Sequence, residues 1–401
     1  MKKQKMTLTD FISPEMEMPS ECPHFPLCGG CAAQHIAYGD ECRIKAAMVR
    51  ALLGNAGVLP GQDYGIEAAV SPAAYRNKME FSFGDESKDG ALALGMRKRK
   101  SFYEVVTASH CQIVDEDFRR ILLCVLTFFR ESADTFYHKR SHKGALRHLV
   151  VRKGFFTGEV LVNLVTTSSL ITNLAPLTAS LRALSLSGKI VGVLHTVNDA
   201  VADVVKPDSV NILYGRGYFY EKLIGLTFKI SAFAFFQTNA QGAQRLYETV
   251  RTFVGDAAEQ TVFDLYCGTG TIAQIAAQNA REAIGVELVE EAVLAARENA
   301  AANGLGNCRF IAGDVSKVLD TLAVRPDIII LDPPREGLHP KALQKIIGFG
   351  APRVIYISCK PASLARDLPR FLENGYDFSA MKIHDLFPRT NHVETVALLS
   401  K

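Results

Sequence analysis

The sequence feature that most constrains the fold is an alternation of apolar strands and helices beginning near residue 260. Strands are predicted at 260–266, 282–287, 327–331 and 353–358, with helices at 271–279 and 290–303 between the first of them. Strands and helices that alternate in this way form a parallel sheet covered by helices on both faces. We therefore expect a Rossmann-like α/β domain in this half of the chain.

The preceding part of the chain has a different pattern. Residues 72–230 are rich in strands, predicted at 150–152, 158–165 and 190–195, with a helix near 117–130. A length of 401 residues allows two or three domains. The expected organisation is a flexible tail (1–21), a cysteine-containing segment (22–71), a β-rich α+β central domain (72–235) and the α/β domain (236–401).

A glycine-rich turn follows the first strand of the α/β domain. Gly268 and Gly270 let the backbone approach a ligand closely, at the strand end where open α/β sheets bind ligands. The next strand ends at Glu287, whose carboxylate is placed to bind a ribose diol. The dinucleotide fingerprint and the phosphate loop are both absent, which favours S-adenosylmethionine over NAD or ATP. Simple packing of a helix against the sheet is the alternative. Asp314, after the third strand, lies either near the adenine or on the surface.

Reactive side chains follow the next two strands. Asp332 and Arg335 belong to an Asp-Pro-Pro-Arg sequence, where enzymes that methylate planar nitrogens often have Asn-Pro-Pro and an aromatic residue. Cys359 precedes a predicted helix and adjoins Lys360, so we expect a lowered thiol pKa suited to a nucleophile. Inert packing is the alternative for this cysteine. Glu394, in an apolar C-terminal strand, is either an edge residue or a functional acid.

A cysteine and a carboxylate are the two groups that methylation of carbon 5 of uracil requires. Carbon 5 of uracil is too weak a nucleophile to accept a methyl group unaided. Addition of a thiolate to carbon 6 makes carbon 5 electron-rich, and a base must afterwards remove the proton from carbon 5. Cys359 and Glu394 suit these two roles.

Five ordered motifs make the C-terminal half resemble the uracil-C5 RNA methyltransferase family. The resemblance implies that Cys359 is the nucleophile and that Glu394 is the base. It also implies that Gln237, Tyr266, Glu287 and Asp332 line the cofactor site and that Asp332, Arg335 and Phe236 lie near the target base. Lys360 replaces the asparagine common in the family. The motifs are Phe235-Phe236-Gln237-Thr238-Asn239, Asp264-Leu265-Tyr266-Cys267-Gly268, Asp332-Pro333-Pro334-Arg335, Ser358-Cys359-x-Pro361 and His392-Val393-Glu394-Thr395.

The cysteines predict a second cofactor. Nine cysteines in a chain without export features indicate metal ligation or catalysis rather than disulfides. Cys22, Cys28 and Cys31 have a C-x5-C-x2-C spacing, unlike paired zinc motifs and unlike the C-x3-C-x2-C of radical enzymes. With Gln34, His35 and Tyr38, they resemble the iron–sulfur segment of the family branch that methylates 23S ribosomal RNA. The resemblance implies a [4Fe-4S] cluster whose fourth ligand is Cys111, with Cys42 as the competing candidate.

The resemblance implies RNA as the substrate, and 23S rRNA before or during ribosome assembly in particular, because transfer-RNA members generally lack the cysteine motif. The net charge of +3 is too small to indicate nucleic-acid binding by itself. Only 21 residues precede Cys22, so the N-terminal TRAM-type barrel of some relatives is not expected, and RNA affinity falls to the central domain. Its basic clusters are 97–100 and Lys139, Arg140, Lys143, Arg147, Arg152 and Lys153.

Other expectations complete this interpretation. The target uridine must leave its stack; Phe235, Phe387 and His392 offer stacking faces, and Arg389 a phosphate contact. A cytoplasmic monomer without membrane contact is expected, since no apolar run has the length of a membrane span. The alternatives are a tRNA uridine-C5 methyltransferase, an enzyme that methylates a nitrogen or a small molecule, and a non-catalytic iron–sulfur RNA-binding or assembly factor.

Overall fold

The computed structural model describes residues 6–201 and 207–401, which form two large sheets and the helices that cover them. The central part of the chain contains a seven-stranded sheet, ordered β4-β3-β2-β5-β6-β7-β8. All neighbouring strands in it are antiparallel except β6 and β7. Its elements are β2 (Lys78–Asp85), β3 (Leu92–Arg97), β4 (Val105–Thr107), α2 (Glu116–Arg130), β5 (Leu146–Lys153), β6 (Glu159–Thr166), α3 (Ala175–Ala183), β7 (Lys189–Val197) and β8 (Ser209–Gly215).

The C-terminal part contains the predicted α/β arrangement. A hairpin of β9 (Tyr218–Leu223) and β10 (Leu226–Ser231) leads into it. Its helices and strands are α4 (Ala240–Val254), β11 (Ala257–Leu265), α5 (Thr271–Ala277), β12 (Ala280–Glu287), α6 (Glu290–Ala302), β13 (Cys308–Ala312), α7 (Val315–Val318), β14 (Ile328–Leu331), α8 (Pro340–Phe349), β15 (Arg353–Ser358), α9 (Pro361–Leu372), β16 (Asp377–His384) and β17 (Glu394–Ser400).

Strand order explains where a ligand binds in this second sheet. The order is β13-β12-β11-β14-β15-β17-β16. Strand β17 is antiparallel to its neighbours β15 and β16, and all other neighbouring pairs in this series are parallel. The chain moves outward in one direction from β11 to β13 and then in the other from β14, so a crevice opens at the carboxyl ends of β11 and β14. Continuous apolar runs such as Ile328–Leu331 are fully buried, as a parallel sheet covered on both faces requires.

The N-terminal segment takes part in this same sheet, which sequence reasoning did not anticipate. Strand β1 (Gln62–Glu67) pairs in parallel with β16 and forms the eighth strand at that edge. Helix α1 (Tyr38–Asn55) precedes it and packs on α9. Residues before position 72 therefore complete the C-terminal sheet.

The prediction of a flexible tail is wrong for residues 6–21. Two short 3-10 helices, Leu8–Phe11 and Pro14–Met16, lie there, and the Leu8 side chain is fully buried. Leu8 packs against Ala33, Ile36 and Ile44, because these few apolar residues close a small core over the start of α1. Residues 1–5 lie outside the described residues. Within the described ranges, no helix combines the length and apolarity that crossing a membrane requires.

Candidate active site

The glycine-rich turn after β11 has the backbone of a ligand-binding loop. Tyr266 has a φ of +68°, an uncommon conformation for a residue with a side chain. Gly268 has a φ of +54°, and a Cβ there would meet nothing within 4 Å, so the space above it is open. A Cβ on Gly270 would instead come within 2.4 Å of the Phe310 ring. One glycine thus faces a crevice, and the other packs the turn against the sheet.

Two acidic residues predicted for the cofactor site occupy different environments. The Glu287 carboxylate accepts hydrogen bonds from the backbone N–H of Gly268 at 3.0 Å and of Val289 at 2.9 Å, which fixes it beside the turn. Asp314 is exposed and accepts a hydrogen bond from Ser316 N–H at 2.9 Å as the N-cap of α7. Together with burial, its charge raises the pKa of Tyr266 to about 12, so Asp314 lies on the Tyr266 side of the crevice.

Two acidic side chains, the buried Asp264 and the partly buried Asp332, lie at the carboxyl ends of β11 and β14. Burial, and secondarily the charge of Asp332, raise the pKa of Asp264 to about 8, and burial raises the pKa of Asp332 to about 7. One Asp264 carboxylate oxygen, Oδ2, accepts a hydrogen bond from Ala273 N–H at 2.8 Å, whereas Oδ1 has no partner. The crevice therefore presents carboxyl groups that lack a counter-charge.

Sequence reasoning missed Tyr247 in α4 and gave Asp264 no role. Burial raises the pKa of Tyr247, as do the charges of Asp332, Asp264 and Glu394, so its hydroxyl lies among these acids. The side chain of Gln237 interacts with this hydroxyl. An amphipathic helix predicts a buried tyrosine but not which strand ends it faces, so no sequence signal identified Tyr247.

Cys359 and Glu394, the predicted nucleophile and base, face the same space. Cys359 is partly exposed at the end of β15, and Glu394 is buried at the start of β17. Burial raises the pKa of the Cys359 thiol to about 11, with smaller contributions from Glu394 and Asp332. Burial and Asp332 raise the pKa of Glu394, while the positive charge of Arg335 opposes the increase at both groups. The thiol and the two carboxyl groups therefore form one cluster.

The expectation of a lowered thiol pKa at Cys359 is wrong for the ligand-free protein. Lys360 does not face the thiol, because its ammonium is paired with Glu336, with 3.1 Å between Nζ and Oε1. The nearby cation is Arg335, and two acids outweigh it. The Cys359 thiol is thus protonated at neutral pH.

The residues predicted to meet the target base lie at different depths. Arg335 is exposed, and its guanidinium donates to His392 Nδ1 at 3.2 Å, which places both at the entrance to the cluster. The Phe236 ring packs on Phe228, with centroids 5.9 Å apart, whereas Phe235 is 70% exposed. The sequence pattern alone did not distinguish these two phenylalanines.

The open turn and the acid cluster fit S-adenosylmethionine. The space above Gly268 would receive the nucleoside beside Glu287, and the uncompensated acids Asp264 and Asp332 suit a ligand that carries a positive sulfur. Gln237 and Tyr266 border the same crevice. No phosphate-binding group is needed for this ligand.

The four cysteines predicted to be ligands lie near one another. The pKa of Cys31 is raised to about 12, by burial first and also by Cys111, Cys28 and Cys22. The pKa of Cys111 is raised to about 11 by burial and by Cys28 and Cys22. Gly30 N–H donates to Cys28 Sγ at 3.4 Å and Gln34 Nε2 to Cys31 Sγ at 3.6 Å. The four thiols therefore lie in one neighbourhood, and two of them accept a hydrogen bond from an N–H group.

Cys42 belongs to a different environment. Apart from burial, the groups with the largest effects on its pKa are Tyr38, Asp385, Glu41 and Lys45, and not the four other thiols. In residues 6–201 and 207–401, no group of three or more His, Cys, Asp or Glu side chains is close enough to hold a single metal ion. A four-iron cluster is larger than one ion and holds its thiolates further apart.

The second basic cluster does not act as a unit. Arg152 is buried and donates to the carbonyls of Ser231 and Ala234, and Lys153 is buried and paired with Asp117. These two residues hold the fold together and are not available to RNA, contrary to expectation. Arg140 and Lys143 remain exposed.

Arg389, predicted to contact a phosphate, instead joins the two ends of the chain. Its carbonyl accepts hydrogen bonds from Ala32 and Ala33, and its guanidinium donates to the carbonyls of Ala33 and Ile36. Its backbone N–H donates to Glu41 at 2.7 Å. The turn before Glu394 is thereby fixed to the segment that follows Cys31.

Comparisons with known proteins agree with this site. The sequence model of the tRNA (uracil-5-)-methyltransferase family matches residues 209–401. A Clostridium tetani protein described as an uncharacterized RNA methyltransferase is 50% identical over 386 residues, covering 96% of this chain and 84% of the relative. A protein of the same description from Caldanaerobacter subterraneus is 49% identical over 385 residues, covering 96% of this chain and 85% of the relative.

A solved structure is similar over both domains. The Pyrococcus abyssi tRNA (uracil-54, C5)-methyltransferase, in complex with S-adenosyl-L-homocysteine, superposes with a TM-score of 0.77 at 25% identity, covering 93% of this chain and 86% of that one. The resemblance read from five short motifs therefore extends to almost the whole chain. This chain belongs to the family of S-adenosylmethionine-dependent RNA (uracil-C5) methyltransferases.

Proposed function

We propose that the protein methylates carbon 5 of a uridine in 23S rRNA, with Cys359 as the nucleophile and Glu394 as the base. The observation that carries this proposal is the cluster of Cys359, Glu394 and Asp332 beside the open glycine turn. A thiol is unnecessary for methylation of a nitrogen. Its position next to two acids, at the mouth of a cofactor crevice, has a use when the thiol must bond to a pyrimidine.

The chain's residues would act in a fixed order. The Cys359 thiol gives up its proton to solvent at the partly exposed end of β15, and the thiolate forms a bond to carbon 6, which shifts the electrons of the 5,6 double bond toward carbon 5 and the carbonyl at carbon 4. S-adenosylmethionine supplies an electrophilic methyl group on a positively charged sulfur. Once carbon 5 is methylated, the Glu394 carboxylate removes its proton, the double bond re-forms, and the Cys359 thiolate leaves.

Arg335 has a defined part in this sequence. Both Cys359 and Glu394 must ionise, yet burial and neighbouring acids keep their protons bound. Arg335 is the cation that lowers the pKa of both groups, and its side chain also contacts His392 at the entrance. Its guanidinium would favour the ionised forms and hold the uracil carbonyl as negative charge develops there.

A trapping experiment tests the covalent step. RNA containing 5-fluorouridine should form a stable adduct with the wild type, because fluorine cannot leave as a proton, and none with Cys359→Ala. Cys359→Ala should also lose methyl transfer from labelled cofactor while still binding it. Methyl transfer at the wild-type rate by Cys359→Ala would overturn the mechanism.

We assign a [4Fe-4S] cluster to Cys22, Cys28, Cys31 and Cys111, supported by the convergence of these thiols and the separate environment of Cys42. The cluster's iron and sulfide content and visible absorbance are the readouts. Cys111→Ser should lose most of the iron, and Cys42→Ser, a matched control, should retain it. The reverse result would exchange the two assignments.

The second candidate substrate is transfer RNA, because both the matching family model and the similar solved structure carry tRNA in their names. The cysteine segment favours 23S rRNA. Mapping 5-methyluridine in both RNAs, from cells with and without the gene, separates the two. Loss of the modification from tRNA alone would make the protein a tRNA methyltransferase, and loss from neither would favour a non-catalytic factor.

A further inference from the structure

A cavity of about 430 Å³ lies in the central domain, on residues that the methyl-transfer site does not use. It is lined by side chains of β2, β3 and β5 and of the two connections 98–104 and 136–140. Its volume is within the range of small-ligand sites. We name it the aromatic pocket after Tyr103, Tyr137 and His138, which line it together with Arg140 and Arg147.

The rings of the aromatic pocket are arranged to receive a flat ligand. Tyr103 and His138 stack on each other, with ring planes 4° apart and centroids 6.1 Å apart, so a base that stacks on either ring extends one parallel stack. Tyr103 is 42% exposed, and its neighbour Phe102 is 79% exposed. Large exposed aromatic side chains at the rim of a cavity indicate a binding surface, since burial would otherwise be favoured.

The charge of the aromatic pocket favours an anionic ligand. Lysines and arginines outnumber carboxylates five to two among its lining residues. The guanidinium of Arg140 lies 4.8 Å from the centroid of the Tyr103 ring, and that of Arg147 lies 4.5 Å from the centroid of the Tyr137 ring. Arg147 is buried and donates to the carbonyls of Asn198 at 2.8 Å and Ala200 at 2.7 Å, so its charge is fixed at the base of the pocket.

We infer that the aromatic pocket binds one unpaired nucleotide of the RNA substrate, at a distance in sequence from the target uridine. The inference rests on the proposed function for the nature of the ligand. Parallel rings and guanidinium groups stacked over aromatic faces suit a base and its phosphate, and a base is accessible to such groups only when it is unstacked. The pocket thus selects RNA by a second, single-stranded position.

The aromatic pocket is connected to the methyl-transfer site through the cysteine segment. Gly29 N–H donates to the Arg97 carbonyl at 2.9 Å and Arg99 N–H to the Leu27 carbonyl at 2.7 Å, which joins the pocket's strand to the 22–31 loop. Ala32 N–H donates to the Arg389 carbonyl at 2.6 Å, just before Glu394. Two sites held on one hydrogen-bonded framework have a fixed spacing along the RNA.

The test compares binding of single-stranded and duplex RNA of one sequence, measured by fluorescence anisotropy. Tyr103→Ala should weaken single-strand binding by about tenfold and leave duplex binding unchanged, because loss of one stacked base has this size of effect. Tyr103→Phe keeps the ring and should restore affinity. The matched control is Arg182→Ala, which removes an arginine stacked 4.3 Å from the centroid of the Tyr214 ring outside the pocket.

Three results would overturn the inference. One is Tyr103→Ala binding single strands as tightly as Arg182→Ala does. A second is equal weakening for single strand and duplex, which would indicate a backbone contact only. The third is uridine monophosphate competing as strongly as the oligonucleotide, which would make this a site for free nucleotides. If wild type transferred no methyl group, the proposed function would fail while these titrations would still report on the pocket.

Discussion

Two groups of buried acids in this protein differ in how their charges are balanced. Glu41 and Asp385 both lie 2.8 Å from the fully buried ammonium of Lys45, and the Tyr38 hydroxyl donates to Asp385 at 2.9 Å. In contrast, none of Asp264, Asp332 and Glu394 is ion-paired with a lysine or arginine of the described residues.

The presence or absence of a paired cation distinguishes acids that stabilise the fold from acids that serve a function. Burying an acid without a partner is unfavourable, so a fold retains such groups only where something else requires them. The Lys45 group has its positive charges within the fold, the Lys45 ammonium and the Arg389 guanidinium 3.6 Å from Glu41, and it holds α1 to the turn after β16. The acids of the crevice lack such a cation, and this supports their proposed place in the reacting site.

Glu394→Gln should have the largest effect, and it should appear in catalysis alone. Loss of a positioned base slows the release of 5-methyluridine product, the step that follows methyl transfer, by about 10²–10⁴-fold. The free energy of unfolding should stay unchanged or increase, because a neutral amide removes an unpaired buried acid. The rate at which free methylated RNA is released from the covalent adduct and urea unfolding measure the two. A large loss of stability would place Glu394 with the structural acids.

Lys45→Met should instead lower the stability of the protein. Removing the cation leaves Glu41 and Asp385 buried without it, which costs about 3–5 kcal/mol of unfolding free energy. Urea unfolding gives this value. Lys345→Met is the matched control, since its partner Asp320 is exposed and the loss should be below about 1 kcal/mol. Equal effects of the two substitutions would mean that the Lys45 group contributes no more to stability than an exposed ion pair does.

The stability of the ligand-free protein should fall as pH rises between about 5 and 8. Asp332 and Asp264 have folded-state pKa values of about 7 and about 8, above the unfolded value near 4, so the folded state binds more protons over this interval. The expected change is on the order of several kcal/mol, because each group contributes up to about 1.4 kcal/mol per pH unit between its unfolded and folded pKa. Asp332→Asn should make the free energy of unfolding, measured with urea, depend less steeply on pH. An unchanged dependence on pH would contradict the raised pKa of Asp332.

Tyr247→Phe should have the smallest effect, confined to cofactor affinity. Its hydroxyl lies among Gln237, Asp264 and Asp332, and loss of one hydrogen bond weakens binding by up to about tenfold. Calorimetric titration with S-adenosylmethionine measures the change. Tyr376→Phe also removes a buried hydroxyl, one that donates to the Ala351 carbonyl at 2.9 Å, and should leave affinity unaltered. Similar losses in both variants would assign Tyr247 to packing.

Local patterns predicted most of the fold. Apolar runs identified strands such as β11, β14 and β15, because a covered parallel sheet leaves little choice of side chain there. The pairing of β1 with β16, more than 300 residues apart, has no local signal. The same holds for the contact of Lys45 with Asp385.

The site was predicted by residue type better than by environment. Spacing and strand ends placed Cys359, Glu394 and Asp332 together, but the direction of the thiol pKa was wrong, because adjacency in sequence gave Lys360 a role that belongs to Arg335. The orientation of a side chain depends on partners such as Glu336, which are specified only by the tertiary fold.

The hydrogen bonds between Arg389 and residues 32–36 join an N-terminal segment to a C-terminal turn, so the two are held in one position relative to each other. A fragment starting after residue 72 would have an unpaired β16 edge, an acid at 385 without its ammonium, and an untethered turn before Glu394. We therefore expect that the α/β domain (236–401) does not fold correctly without the N-terminal residues. Fusions, split versions and circular permutants will work only where the first seventy residues accompany the last twenty.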